Sequence, residues 1–111
     1  MIEQIRPLQV NEWLAAQKAP PVVLDVREDW EVEAASVKAD GFALQVIPMS
    51  ELPQRVGELS RDSAIAVLCH HGHRSQRVAL FLEQQGFSRL ANIAGGIEAW
   101  AEERDPGVPR Y

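Results

Sequence analysis

Cys69 is the single cysteine of this sequence and its most obvious candidate nucleophile. It directly follows Ala64–Leu68, an apolar run whose length and β-branched content predict a buried strand. A helical pattern begins shortly afterwards, with Val78, Phe81 and Leu82 on one face. We therefore expect the thiol at the carboxyl end of a strand, in a loop that leads into the amino end of a helix.

A loop at such a junction favours a negatively charged sulfur. The first N–H groups of a helix have no partners within it, and consecutive loop amides can form a concave anion site. Gly72 can adopt the positive φ that a tight loop requires, and Ser75 is expected to cap the helix. Arg74 adds positive charge, which stabilises thiolates in general. These features predict a reactive thiolate rather than a small buried hydrophobe.

Three histidines share the loop, at positions 70, 71 and 73. Because ordinary imidazole titrates near pH ~6.5, they predict a pH dependence in that range. Together with Cys69 they also offer ligands that zinc and copper accept. Four ligands within five residues would have to converge on one ion, however, whereas side chains of so short a loop mostly point outward. We therefore expect neither a native metal site nor a bound cofactor.

Composition limits the class of protein. A chain of 111 residues with 46% hydrophobic and 24% charged residues is expected to form one globular domain over residues 1–111. The net charge of −5, with Lys18 and Lys38 as the only lysines, argues against nucleic-acid binding. Neither a secretion signal nor an apolar run of about 20 residues is recognisable, so we expect no membrane contact and a cytoplasmic location.

Strand and helix patterns alternate along the chain. The predicted strands are Ile2–Ile5, Val22–Val26, Leu44–Ile47, Ala64–Leu68 and Ser88–Ile93. The predicted helices are one capped by Asn11, a short one over Glu31–Ala35, one capped by Ser50, one that follows the cysteine loop and stops at Gly86, and one opened by Gly95-Gly96. Trp13, Trp30 and Trp100 are expected in or near the core. This alternation predicts an α/β fold with a mainly parallel central sheet, in which ligands bind beyond the carboxyl ends of the strands.

Several pieces of the sequence together resemble a single-domain rhodanese, a sulfurtransferase whose cysteine carries a persulfide. The pieces are Leu24-Asp25-Val26-Arg27-Glu28, Cys69-His70-His71-Gly72-His73-Arg74-Ser75, Gly86-Phe87, Gly95-Gly96-Ile97-Glu98-Ala99-Trp100 and the tail Val108-Pro109-Arg110-Tyr111. The cysteine loop is the most specific of them. The chain departs from the family pattern at residues 34–42, where a histidine and a glycine of the usual stretch are missing. The resemblance implies a three-layer α/β/α fold.

The resemblance also implies roles for individual residues. Cys69 would be the nucleophile and the sulfur carrier, and Asp25 with Arg27 would form a supporting pair, in which Arg27 steadies the loop or an acidic neighbour. Gly95-Gly96 would form a structural turn. The active loop, whose amides would hold the outer sulfur, consists of His70, His71, Gly72, His73, Arg74 and Ser75, with Arg74 adding charge at its rim.

Loop length bears on the substrate. Four residues separate Cys69 from Arg74, which suits one extra sulfur atom, whereas related phosphatases and arsenate reductases use one residue more around a tetrahedral oxyanion. The expected partners are a small sulfur donor such as thiosulfate and a thiophilic acceptor such as cyanide, a small thiol or a protein thiol. A phosphatase or arsenate reductase with the same loop and a catalytically idle interaction module remain the alternatives.

Overall fold

Five short segments form the strands of one sheet in the computed structural model, which describes residues 2–111. The strands are β1 (Glu3–Ile5), β2 (Pro21–Asp25), β3 (Ala43–Val46), β4 (Ala64–Leu68) and β5 (Leu90–Ile93). Their order is β1-β5-β4-β2-β3, and every neighbouring pair is parallel. The predicted α/β fold is thus confirmed, with a sheet that is parallel throughout.

The helices lie on both faces of this sheet. They are α1 (Val10–Ala16), α2 (Asp29–Ala34), α3 (Leu52–Arg55), α4 (His73–Gln84) and α5 (Gly96–Glu103), and short 3-10 turns span Pro7–Gln9, Met49–Glu51 and Val56–Glu58. Two predicted caps are wrong. Asn11 lies inside α1, where its amide donates to the carbonyl of Asp40 at 2.6 Å, because the turn Pro7–Gln9 already starts the helix. Ser50 lies within a 3-10 turn.

The sheet separates two hydrophobic cores because side chains alternate along a strand. On β4, Ala64, Ala66 and Leu68 face the core that contains α1 and α5. Ile65, Val67 and the following Cys69 face the core that contains α3 and α4. Trp13 and Trp100 are buried as expected. Trp30 is 64% exposed, so the prediction for that tryptophan is wrong. In α2 the buried residue is Glu31.

Strand order brings two chain segments together at the carboxyl edge of the sheet. The connections leave β2 in one direction toward β3 and leave β4 in the other toward β5, so the ends of β2 and β4 lie side by side at the point where the order reverses. Asp25 is paired with Leu68, and the N–H of Val26 donates to the carbonyl of Leu68 at 2.9 Å. Cys69 therefore emerges beside the segment that carries Asp25 and Arg27.

In residues 2–111 the helices are all too short or too polar to cross a bilayer.

Candidate active site

The thiol of Cys69 is buried, with 1% of the residue exposed, yet it has polar neighbours. Its Sγ accepts a hydrogen bond from the N–H of Gly72 at 3.1 Å and lies 3.2 Å from the hydroxyl of Ser75. Gly72 reaches this position with a φ of 102°, which a residue with a side chain rarely adopts. The sulfur is therefore held between a main-chain donor and a hydroxyl.

The backbone of the loop is oriented by the amino end of α5. The carbonyls of Cys69 and His70 accept hydrogen bonds from the N–H groups of Ile97 and Glu98, at 2.9 and 3.2 Å. Gly96 permits this approach, since a Cβ there would lie 2.4 Å from the carbonyl oxygen of His70. Because C=O and N–H point in opposite directions in a trans peptide, the amides of the same two peptide groups point away from α5.

Ser75 has a different role from the predicted helix cap. Helix α4 begins at His73, with Gly72 in the capping position, so Ser75 lies inside the first turn. It is fully buried, and its hydroxyl donates to Oδ1 of Asn92 on β5. The prediction is wrong because the capping position lies three residues earlier, at Gly72.

Arg74 forms a bidentate ion pair with Glu31 of α2, with N···O distances of 2.7 and 2.8 Å. Glu31 also accepts hydrogen bonds from the hydroxyl of Tyr111 at 3.0 Å and from the N–H of Glu28 at 2.9 Å. The hydrogen bonds from Arg74 lower the pKa of Glu31 to about 2, although burial opposes this shift. The charge that Arg74 was expected to add at the rim is therefore matched by a carboxylate, and its action on the sulfur stays a prediction.

Arg27 is fully buried and uses all five of its N–H donors. It binds Asp25 through two nitrogens at 2.9 and 2.7 Å, and also the carbonyls of Glu31 and Ala35 and the hydroxyl of Tyr111. Burial lowers the pKa of Arg27, but the hydrogen bonds with Asp25 and Tyr111 outweigh it and raise the pKa overall. Arg27 was expected to steady either the active loop or an acidic neighbour, and the structure pairs it with the acidic neighbour Asp25. Ala35 belongs to residues 34–42, the segment that departs from the family pattern, and its carbonyl is one of the hydrogen-bond acceptors of Arg27.

The loop histidines form part of an aromatic stack. The ring of His70 lies between the rings of His71, at 3.9 Å between centroids, and Tyr111, at 4.1 Å. Burial, followed by the positive charge of His71, lowers the pKa of His70. His71 and His73 are exposed. Across residues 2–111, no three histidine, cysteine or acidic side chains are grouped so that they could hold a metal ion.

Three residues that contact this site were missed in the sequence. Asn92 is a polar residue inside an otherwise apolar strand, and that contrast is a usable signal. Glu31 lies three residues after Glu28, and together they form a capping box, which marks the start of α2 but not a partner for Arg74. Tyr111 belongs to an irregular tail, in which no local pattern indicates a contact with Glu31.

Comparisons with known proteins show what the chain is similar to over most of its length. The family model described as Rhodanese-like domain matches residues 8–103. The chain is 34% identical over 108 residues to a sulfurtransferase of Allochromatium vinosum, covering 97% of this chain and 96% of that protein. It is 30% identical over 100 residues to the thiosulfate sulfurtransferase GlpE of Tolumonas auensis, covering 89% and 91%. A crystal structure of a rhodanese-like domain protein from Staphylococcus aureus superimposes with a TM-score of 0.76 at 25% identity, covering 99% of each chain.

Other relatives are much longer than this chain. It spans between 21% and 40% of the length of four proteins from Arabidopsis thaliana, Zea mays and Bacillus subtilis. In those proteins the similar region is one part of a larger chain.

Proposed function

This chain belongs to the rhodanese-like domain family, which includes sulfurtransferases, and we propose that Cys69 carries sulfur from a donor such as thiosulfate to a thiophilic acceptor. In the first half-reaction the thiolate attacks the outer sulfur of thiosulfate. A new S–S bond forms at Cys69, the S–S bond of the donor breaks, and sulfite leaves with the electron pair. In the second, cyanide or a thiol attacks the outer sulfur, and the Cys69 thiolate is released. No external oxidant or reductant is needed.

The observation that supports this proposal most directly is the hydrogen bond from Gly72 N–H to Sγ at 3.1 Å. It places a main-chain donor on the sulfur itself. The amides of His70 and His71, which point away from α5, are further candidates to stabilise the outer sulfur and the charge that develops during transfer. A single preorganised donor of this kind is commonly worth about 3 kcal/mol in a transition state.

The residues around the loop would act on its shape. We propose that Arg74, paired with Glu31, fixes the first turn of α4, and that Asp25 and Arg27 fix the end of β2 and the segment after α2. His70 and His71 would line the approach to the sulfur. Because Cys69 is the only cysteine, the acceptor must come from outside the chain, either as a small molecule or as a protein thiol, and we propose that this occurs in the cytoplasm.

The test is intact mass spectrometry of the purified protein after incubation with thiosulfate. We expect a gain of one sulfur atom, its loss on addition of cyanide, and formation of thiocyanate. Cys69→Ser should show none of these. If the wild-type protein gains no sulfur from thiosulfate, from a mercapto-acid or from a persulfide, the proposal is wrong.

The same preparation distinguishes the alternatives. A phosphatase with this loop would hydrolyse an aryl phosphate, and Cys69→Ser would abolish that activity. An idle interaction module would gain no sulfur from any of these donors. We expect no hydrolysis, because the loop has four residues rather than five between Cys69 and Arg74.

A further inference from the structure

We propose that Asn92 is a positioning residue that directs the hydroxyl proton of Ser75 away from the sulfur and thereby favours the protonated thiol of Cys69 in the resting protein. The inference deepens the proposed function, because sulfur transfer requires the thiolate. The inference concerns the location of one proton, which can be tested without any sulfur-transfer reaction.

This effect depends on a chain of hydrogen bonds between uncharged groups, which runs from the surface to the sulfur. Gln4 on β1 donates to Oε1 of Gln76 at 2.6 Å and accepts from Nδ2 of Asn92 at 2.8 Å. Oδ1 of Asn92 accepts from the hydroxyl of Ser75, and this hydroxyl lies 3.2 Å from Sγ of Cys69. Every bond in the chain can be assigned a direction.

The direction follows from the amide of Asn92. Its Nδ2 faces two acceptors, Oε1 of Gln4 at 2.8 Å and the carbonyl of Gly72 at 3.1 Å. The opposite orientation would place an oxygen against both of them, so Oδ1 is the atom that faces Ser75. A serine hydroxyl has one proton, and the bond to Oδ1 uses it.

The contact between Ser75 and Cys69 must then use the thiol proton. With its own proton on Oδ1 of Asn92, Ser75 presents a lone pair to Sγ, which suits an S–H donor and repels a thiolate. When the sulfur ionises, Ser75 can turn its proton to it only by leaving the buried Oδ1 of Asn92 without a donor. Such an unsatisfied group is costly. Asn92 therefore opposes ionisation through Ser75.

Charged groups on the other elements around Cys69 act on a separate side of the site. Arg74 of α4 is neutralised by Glu31 of α2, and Arg27 by Asp25 at the end of β2. Other titratable groups near the loop are His70, His71, His73, Tyr111 and, on α5, Glu98, whose carboxylate lies 3.7 Å from Arg110. Substitution of Asn92 changes none of these charges, so its effect can be separated from theirs.

The experiment measures the rate of iodoacetamide alkylation of Cys69 as a function of pH, in folded protein verified by circular dichroism. Asn92→Ala frees the Ser75 hydroxyl to donate to the sulfur. We expect the midpoint of the profile to move to lower pH by about half a unit or more, because a hydrogen bond to a charged acceptor is stronger than one to a neutral acceptor.

The control is the same substitution in a Ser75→Ala background. If Asn92 acts through the hydroxyl, the double variant and Ser75→Ala have the same midpoint. The proposal is overturned if Asn92→Ala leaves the wild-type midpoint unchanged, or if it produces an equal shift without the hydroxyl, which would indicate an effect through Gly72 instead.

If Asn92→Ala does not fold, a substitution at the surface provides the test. Gln4 is exposed, and Gln4→Ala removes one of the two acceptors that fix the Asn92 amide. A smaller shift to lower pH is expected, again absent in Ser75→Ala, whereas Gln84→Ala, at the exposed far end of α4, should have no effect. An unchanged profile for Gln4→Ala, when Asn92→Ala does not fold, contradicts the proposal. Failure of sulfur loading with these shifts intact would overturn the proposed function alone.

Discussion

The site around Cys69 is bounded by ion pairs on the β2 side and by neutral amides and a hydroxyl on the β5 side. The charged side consists of Asp25, Arg27, Glu31, Arg74 and Tyr111. The neutral side consists of Ser75, Asn92, Gln4 and Gln76. Both are hydrogen-bonded networks, but the side chain that lies next to the sulfur belongs to the neutral one.

On the charged side each arginine is matched by a carboxylate, and the remaining donors of Arg27 bind main-chain carbonyls and the Tyr111 hydroxyl. On the neutral side the Ser75 hydroxyl lies 3.2 Å from Sγ. On this basis we propose that the ion pairs chiefly hold segments of the chain in place, whereas uncharged groups determine where the proton of the sulfur lies. The predictions below test this division, beginning with the largest effect.

Arg27→Met should cause the largest loss of stability. It leaves the Asp25 carboxylate buried without its cation, which typically costs about 3–5 kcal/mol of unfolding free energy. Urea denaturation measures this. Arg55→Met is the control, because Arg55 is likewise paired with carboxylates, those of Glu51 and Glu58, but at the surface, where only a small loss is expected. Equal losses in the two variants would contradict a structural role of the charged side.

Glu31→Gln should have an intermediate effect, a loss of about 1–3 kcal/mol, because several hydrogen bonds to a charged acceptor are weakened. It also leaves the charge of Arg74 uncompensated, so alkylation of Cys69 at neutral pH should become faster. Glu33→Gln, on the exposed face of α2, is the control and should change neither quantity. Unchanged alkylation in Glu31→Gln would show that Arg74 does not act on the sulfur through its charge.

Glu31 also predicts how stability depends on acid. Its pKa is about 2 in the folded chain and near ~4.3 in an unfolded one. Because the folded pKa is the lower one, the stabilisation is present above the unfolded pKa and is lost as pH falls toward 2. Urea denaturation from about pH 5 to about pH 2 covers the range between these two pKa values. Over this range the unfolding free energy should decline more steeply for the wild type than for Glu31→Gln. Parallel curves would contradict the assignment.

The smallest effect concerns the aromatic stack next to the loop. Burial lowers the pKa of His70, and the ring of Tyr111 provides part of that cover. Tyr111→Leu should raise the pKa of His70 toward its ordinary value, as followed by NMR of the imidazole protons. The exposed His73 serves as an internal reference. In the wild type, the same lowering means that stability decreases as pH falls through about 6.5, since the unfolded chain takes up the proton first.

Local sequence patterns predicted much of the fold. The apolar run before Cys69, the glycine at position 72 and the periodicity after it indicated a strand, a loop and a helix, and β4 has the predicted bounds. The strand prediction for Val22–Val26 is within one residue of β2. The alternation of these elements was sufficient for a parallel α/β sheet. Errors concentrated where a helix starts, at Asn11, Ser50 and Ser75, because 3-10 turns and a glycine took the capping positions.

The sequence by itself determined which residue could serve as a nucleophile and what kind of loop surrounds it, because both depend on neighbours along the chain. Only the tertiary structure decided which polar groups meet there. Arg74 meets Glu31 across 43 positions, Tyr111 meets the same carboxylate across 80, and Ser75 meets Asn92 across 17. Hydrogen bonds depend on distance and direction, and these are set by strand order and register, which no local pattern of side chains contains.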